Sequence, residues 1–204
     1  MAEFKLCVLA SGAGTNLQAI IDALHGSDGI EVAGVASDKA DATALERAAA
    51  AGIETGIFPA GEYEDREARD TAIGDWIEGR SADLIVLAGY MQLLSSSFVG
   101  RFPNRIVNIH PALLPSFPGL DAVEQALEHG VKVTGVTVHF VDEGVDSGPI
   151  IVQRPVAVPP GRDRAALEEA IHSTEHALYP QAIELIARGR VRIDPSNPRL
   201  VLID

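Results

Sequence analysis

Phe4-Lys5-Leu6-Cys7-Val8-Leu9-Ala10-Ser11-Gly12-Ala13-Gly14-Thr15-Asn16-Leu17 is the stretch that decides the fold. The apolar run Phe4–Ala10 reads as a buried strand, and Ser11–Gly14 as a glycine loop. Leu17, Ile20, Ile21 and Leu24 then recur at helical spacing until Gly26 ends the pattern. A strand that passes through a short loop into a helix opens a βαβ unit, and the same alternation continues downstream. Val32–Ser37 reads as a strand, Leu45, Ala48, Ala49 and Gly52 as a helix, and Ile53–Phe58 as a third strand. Tyr63–Gly79 reads as a charged, exposed helix that turns Ile73, Trp76 and Ile77 inward. Asp83–Ala88 is a fourth strand, apolar on both faces, and such strands belong to parallel sheets covered on each side. The alternation predicts α/β class: a single doubly wound, mostly parallel sheet with helices on both faces.

Past Gly89 the pattern loosens. Ile106–Ile109 is a short strand that runs into His110-Pro111, and the proline-rich segment 111–119 predicts an ordered, extended loop. Ala122–Gly130 reads as a helix. Val131–Val141 is a long β-branched strand, expected to form a hairpin with Pro149–Val158 across 142–148. Arg164–Gly189 is a long helix with a bend expected near Pro180, and Val191–Ile193 with Leu200–Ile203 suggest a closing pair of edge strands. No repeat, low-complexity tract or linker splits the chain.

The chain has 204 residues, the length of one domain at about 150 residues each. Hydrophobic residues make up 47%, enough for a full core. The net charge of −13 argues against nucleic-acid binding, since phosphate backbones recruit basic surfaces. No apolar run approaches the roughly 18 residues of a membrane span, and Met1–Lys5 lacks a basic leader, so a cytoplasmic setting is expected. The single cysteine, Cys7, sits inside an apolar strand and reads as an inert thiol. The histidines show neither His-Glu-x-x-His nor Cys-x-x-Cys spacing, so no metal is expected.

Three segments carry chemistry. Ser11–Asn16 lies at a strand-to-helix junction, where helix N–H groups and the helix dipole attract anions. It holds either a phosphate or a plain tight turn capped by Thr15. Neither the P-loop nor the dinucleotide pattern fits, because no Gly-Lys-Ser/Thr follows and Leu17 stands at the third glycine position. A phosphomonoester is therefore the better guest. Asn108 and His110 are two apart in a strand, so both point to one face. An amide beside an imidazole can stabilise an oxyanion and move a proton, or merely cap a strand end. Asp142–Pro149 offers a carboxylate that could orient His110 and favour its protonated form, or else it is a solvated turn that lacks EF-hand spacing.

Together these segments resemble the folate-dependent formyltransferases, from Val8 to about Pro180. The resemblance rests on Ser11–Asn16, Ala88-Gly89-Tyr90-Met91, Asn108-Ile109-His110-Pro111-Ala112-Leu113-Leu114-Pro115 and Phe117-Pro118-Gly119. Val138-His139-Phe140-Val141, Asp146-Ser147-Gly148-Pro149-Ile150 and Glu175-His176-Ala177-Leu178-Tyr179-Pro180 complete it. The glycine loop and the last segment narrow it to the branch that formylates glycinamide ribonucleotide in purine biosynthesis.

The resemblance implies one domain over 1–204, with a phosphate-binding N-terminal half to about residue 100 and a folate-binding, catalytic half over about 101–204. It implies transfer of the formyl group of 10-formyltetrahydrofolate to the substrate amine, with no metal. The catalytic trio would be Asn108, His110 and Asp146. Ser11, Gly12, Gly14, Thr15, Asn16 and Glu175 would bind the ribonucleotide. Arg66, Met91, Gln92, Leu93, Leu94, Asn108, Asp142, Glu143, Gly144, Val145 and Asp146 would line the folate site, largely through backbone groups, with His139 in support. Gln92, Ser116 and Asp121 depart from residues seen in some relatives. The implied partners are the two small molecules, the implied state a monomer or homodimer, and the alternatives a formyltetrahydrofolate hydrolase or another folate-dependent formyltransferase.

Overall fold

The computed structural model describes residues 3–204. The first elements are β1 (Phe4–Leu9), α1 (Thr15–Leu24), β2 (Ile30–Ser37), α2 (Thr43–Ala50), β3 (Thr55–Ile57), α3 (Arg66–Glu78), β4 (Leu84–Leu87) and α4 (Ser96–Arg101). They are followed by β5 (Ile106–His110), α5 (Ala122–Glu128), β6 (Val133–Phe140), β7 (Ile150–Ala157), α6 (Arg164–Ala187), β8 (Val191–Asp194) and β9 (Asn197–Ile203). Strands β1 to β7 form one sheet in the order β3-β2-β1-β4-β5-β6-β7. This is the mostly parallel α/β architecture that the alternating pattern predicts. The chain divides into two compact units, one up to Val107 and one from Asn108.

In the first unit β1 runs parallel to β2 on one side and to β4 on the other, with Leu6 opposite Val32 and Leu84. A strand enclosed in this way must be apolar on both faces, and Leu6 to Leu9 are completely buried. Burial pushes the Cys7 thiol up to about 12, although Arg80 pulls the other way, so the thiol stays neutral and inert. Helix α1 buries Leu17, Ile20, Ile21 and Leu24, each contributing about 1.5–3 kcal/mol of transfer energy. Strand β3 is shorter than its apolar run because the Ile53 N–H donates to the Ala48 carbonyl at the end of α2 (2.9 Å) instead of to β2. Helix α3 starts later than Tyr63 because Asp65 takes the N-cap and accepts the Ala68 N–H at 2.8 Å. Trp76 turns inward as expected and is half-buried: its ring lies over Gly34 of β2 and Gly56 of β3, edge-on to Phe58 and beneath the Arg80 guanidinium at 3.7 Å. Helix α4 is an element the serine run 95–97 conceals: Ser95 caps it through the Phe98 N–H at 3.3 Å.

In the second unit β6 and β7 form the expected antiparallel hairpin, from Val133 opposite Ala157 to His139 opposite Ile150, with a bulge at Val138/His139. Helix α6 runs through Pro180 as one element and buries Leu167, Ile171, Glu175 and Leu178. Strands β8 and β9 correct the expectation of edge strands. The turn at Asp194–Asn197 folds β9 straight back on β8, giving a separate two-stranded sheet. Among the described residues no helix is long and apolar enough to cross a membrane.

Candidate active site

The loop after β1 belongs to the first unit. Its ends are fixed from below: the Ser11 N–H donates to the Gly89 carbonyl (3.0 Å), and Ser11 Oγ accepts the Met91 N–H at 2.8 Å. Gly14, not Thr15, occupies the N-cap of α1, with φ 68° and no side-chain cap, which removes the reading of Thr15 as cap. A Cβ at Gly14 would lie 2.7 Å from Ala44 Cα, so the loop packs against α2 at backbone distance and only glycine fits. The first N–H groups of a helix have no partner within it, and such an end suits an anion. Thr15 is exposed and Asn16 half-buried at this end.

The segment 91–94 alternates. Met91 and Leu93 are exposed, at 62% and 64%, while Gln92 and Leu94 turn inward. The Gln92 Nε2 donates to Asp38 Oδ2 at 2.9 Å, and its Oε1 accepts from Arg69 at 3.1 Å. Arg66 lies exposed in the first turn of α3.

The second unit brings Asn108, His110, His139 and Asp146 together. His110 ends β5, and its Nδ1 lies 3.3 Å from Asp146 Oδ2. Its Nε2 donates to the Phe117 carbonyl at 2.8 Å. The Asn108 amide donates to Asp146 Oδ1 (3.5 Å) and lies 3.4 Å from His139 Nε2. A carbonyl only accepts, so the 2.8 Å contact between His139 Nδ1 and the Phe140 oxygen puts a proton on Nδ1. Nε2 then points at the Asp146 carboxylate from 3.6 Å.

Asp146 itself has φ 50°, a left-handed conformation that Asp tolerates better than most residues. Burial by itself would raise its pKa. The bond to His139, the Gly119 N–H at 2.8 Å and the charges of His110 and His139 outweigh burial and hold it below the ordinary carboxylate value. The preceding loop is ordered by Asp142 Oδ1, which accepts the Gly144 N–H (3.0 Å) and the Ser147 hydroxyl (2.7 Å). Glu143, Gly144 and Val145 at its tip are exposed, and Glu175 is buried on α6.

The backbone of Phe117 and Gly119 is a partner that side-chain reasoning missed. Phe117, at φ 55°, turns its carbonyl to His110, and Gly119, at φ 82°, turns its N–H to Asp146. Their only sequence signal was the Phe-Pro-Gly step itself. Arg69, Asp70 and Asp38 were also missed.

A carboxylate held ionised between an imidazole and an amide can orient both donors toward a developing oxyanion. Residues 4–183 match the family model described as formyl transferase. The chain belongs to the formyl transferase family. It is 44% identical over 191 residues to the phosphoribosylglycinamide formyltransferase of Escherichia coli, covering 93% of this chain and 90% of that protein. It is 45% identical over 191 residues to the trifunctional purine biosynthetic protein adenosine-3 of Drosophila pseudoobscura pseudoobscura. That match covers 92% of this formyl transferase chain and 14% of the trifunctional protein's length. The crystal structure of glycinamide ribonucleotide transformylase 1 from Symbiobacterium toebii superposes with a TM-score of 0.94 at 49% identity, covering 98% of this chain and 94% of that one.

Proposed function

We propose that the protein transfers the formyl group of 10-formyltetrahydrofolate to the amine of glycinamide ribonucleotide, giving formylglycinamide ribonucleotide and tetrahydrofolate in purine biosynthesis. The observation that carries this reading is Asp146 set between His110 and Asn108 in a chain 44% identical to a full-length phosphoribosylglycinamide formyltransferase. Residues 1–204 act as one formyltransferase domain, its N-terminal half holding the phosphate and the rest the folate and the catalytic groups.

The amine attacks the formyl carbon, and negative charge develops on the formyl oxygen. The Asn108 amide and the His110 ring N–H stabilise it. His110 Nε2 already donates to a carbonyl oxygen, that of Phe117, so serving the formyl oxygen exchanges one acceptor for another. Asp146 enters the step ionised and fixes the imidazole, and it then accepts the amine's proton, directly or through water. The carbon–N10 bond then breaks, and the proton taken from the amine passes to N10, which leaves as tetrahydrofolate. Holding the two reactants side by side contributes roughly 7–11 kcal/mol to the chemical step.

Both substrates are anionic and the chain carries −13, so long-range attraction does not capture them. Local groups do: the N–H groups of Gly14–Asn16 donate to the phosphate, Arg66 donates to the folate's carboxylate tail, and Glu175 accepts from the ribonucleotide. Met91 and Leu93 offer apolar surface to the folate ring, and the segment Asp142–Asp146 offers backbone groups.

The test follows loss of the formyl group from 10-formyltetrahydrofolate by absorbance, with and without glycinamide ribonucleotide. Turnover only with the amine present is expected. Turnover without it would replace the transferase by a hydrolase, and no turnover in either case would overturn the reading.

A further inference from the structure

Residues 69 and 70 of α3 are an arginine and an aspartate, adjacent and buried, with 3% and 1% of their surface exposed. A buried ion pair adds little to stability that apolar residues of the same size would not, unless its directional bonds do something else. Here each end of the pair is committed to one short segment. Asp70 Oδ1 accepts from Arg69 Nε (3.1 Å) and Nη2 (2.9 Å), and Asp70 Oδ2 accepts the Ser95 N–H at 2.6 Å. Arg69 Nη1 donates to Gln92 Oε1 at 3.1 Å, and Nη2 reaches the Leu93 carbonyl at 3.4 Å. Gln92 passes the chain of bonds on to Asp38, which is itself buried.

The segment needs such a hold. Met91 and Leu93 face outward, so their burial does not anchor it. Gln92, between them, turns inward as Leu94 does, and the pair grips it together with the backbone that follows, at the Leu93 carbonyl and the Ser95 N–H, while Ser11 Oγ holds the Met91 N–H.

We propose that Arg69 and Asp70, acting through Gln92, are positioning residues that fix segment 91–95 so that Met91, Leu93 and the backbone between them are presented to the formyl donor. This rests on the reading above that the segment lines the donor site. The planar guanidinium fork makes its bonds in fixed directions, so lysine at position 69 would not replace it.

The test uses Arg69→Met, Arg69→Lys and Gln92→Met in the full chain, read by amide hydrogen exchange and by steady-state kinetics. Arg69→Met leaves Asp70 buried without its partner; should it fail to fold, Gln92→Met carries the test, because it cuts the links to Arg69 and Asp38 while leaving the ion pair intact. The expected result in Gln92→Met is exchange at 91–95 faster by about tenfold, the scale of one charge-assisted bond. Amides of β1 and β4 stay at wild-type rates. The KM for 10-formyltetrahydrofolate rises by about tenfold while kcat and the KM for glycinamide ribonucleotide change by less than about threefold. Arg69→Lys behaves like Arg69→Met, because an ammonium cannot make the fork's bonds. Unchanged exchange at 91–95, or KM values that rise together for both substrates, overturns the proposal. Should wild-type protein fail to consume the donor, the functional reading falls, and the exchange data still decide whether the pair holds the segment.

Discussion

Gly148→Ala is the substitution through which loop geometry and chemistry can be separated. Gly148 is buried, two residues past Asp146. A Cβ there would lie 1.9 Å from the Phe140 carbonyl oxygen, about 1.5 Å short of the 3.4 Å at which ordinary contact begins. That oxygen cannot retreat freely. It accepts His139 Nδ1 at 2.8 Å, and the Phe140 N–H donates to the Pro149 carbonyl at 2.9 Å. The loop must therefore move away from β6 by an ångström or more, carrying Asp146 from its 3.3 Å position at His110. Overpacking of this kind costs about 1–3 kcal/mol, a fall of roughly 2–12 °C in melting temperature for a chain of this size. A misplacement of 1 Å at a reacting centre costs about 10² in rate. The assay is formyl transfer with both substrates saturating, beside thermal unfolding. Gly100→Ala is the control, because its Cβ meets nothing within 4 Å; it should leave both readings unchanged or slightly raise the melting point. Turnover within about threefold of wild type, with the melting point lowered as expected, would refute the placement of Asp146 in the catalytic step. An unchanged melting point would refute the close approach itself.

Asn108→Ala and His110→Ala should each lose about 10²–10³ in kcat with the fold retained by circular dichroism, since each removes one donor to the formyl oxygen. Near-normal turnover in His110→Ala would sink its role. Asp146 has a lowered folded value, so its contribution to stability is complete above its ordinary 3.8 and is lost as pH falls through the lower folded value. Asp146→Asn should therefore be less stable than wild type at neutral pH, the gap closing in acid, as urea titrations at several pH values would show. Asn16→Asp places a like charge at the helix end expected to hold the phosphate and should raise the KM for glycinamide ribonucleotide by at least about tenfold. An unchanged KM would move the phosphate elsewhere.

The parts of the molecule that were legible in advance are those coded by local period. The buried strand and the helical stripe of Leu17, Ile20, Ile21 and Leu24 state the βα unit directly, and the two-residue step from Asn108 to His110 puts both on one face of β5. Asp146 was weaker. Its loop holds several acidic residues, and only resemblance chose among them, because what singles it out is a left-handed backbone and a partner 38 positions away.

What stayed hidden was either backbone or long-range. The Phe117 carbonyl and the Gly119 N–H would exist whatever side chains stood there; only the conformation of 111–119 aims them at His110 and Asp146. Arg69 and Asp70 sit in a run of charged residues that reads as a solvated helix face, which is the ordinary fate of such a run. They are inside because segment 91–95, more than 20 positions later, leaves Met91 and Leu93 outside and has carbonyl, amide and Gln92 groups to satisfy. A buried polar group must find its partners, and here the partners are what an outward-facing loop leaves open. The charge pattern of α3 is thus explained by the loop it supports, and exchange at 91–95 in Gln92→Met is the measurement that tells this from a merely stable helix.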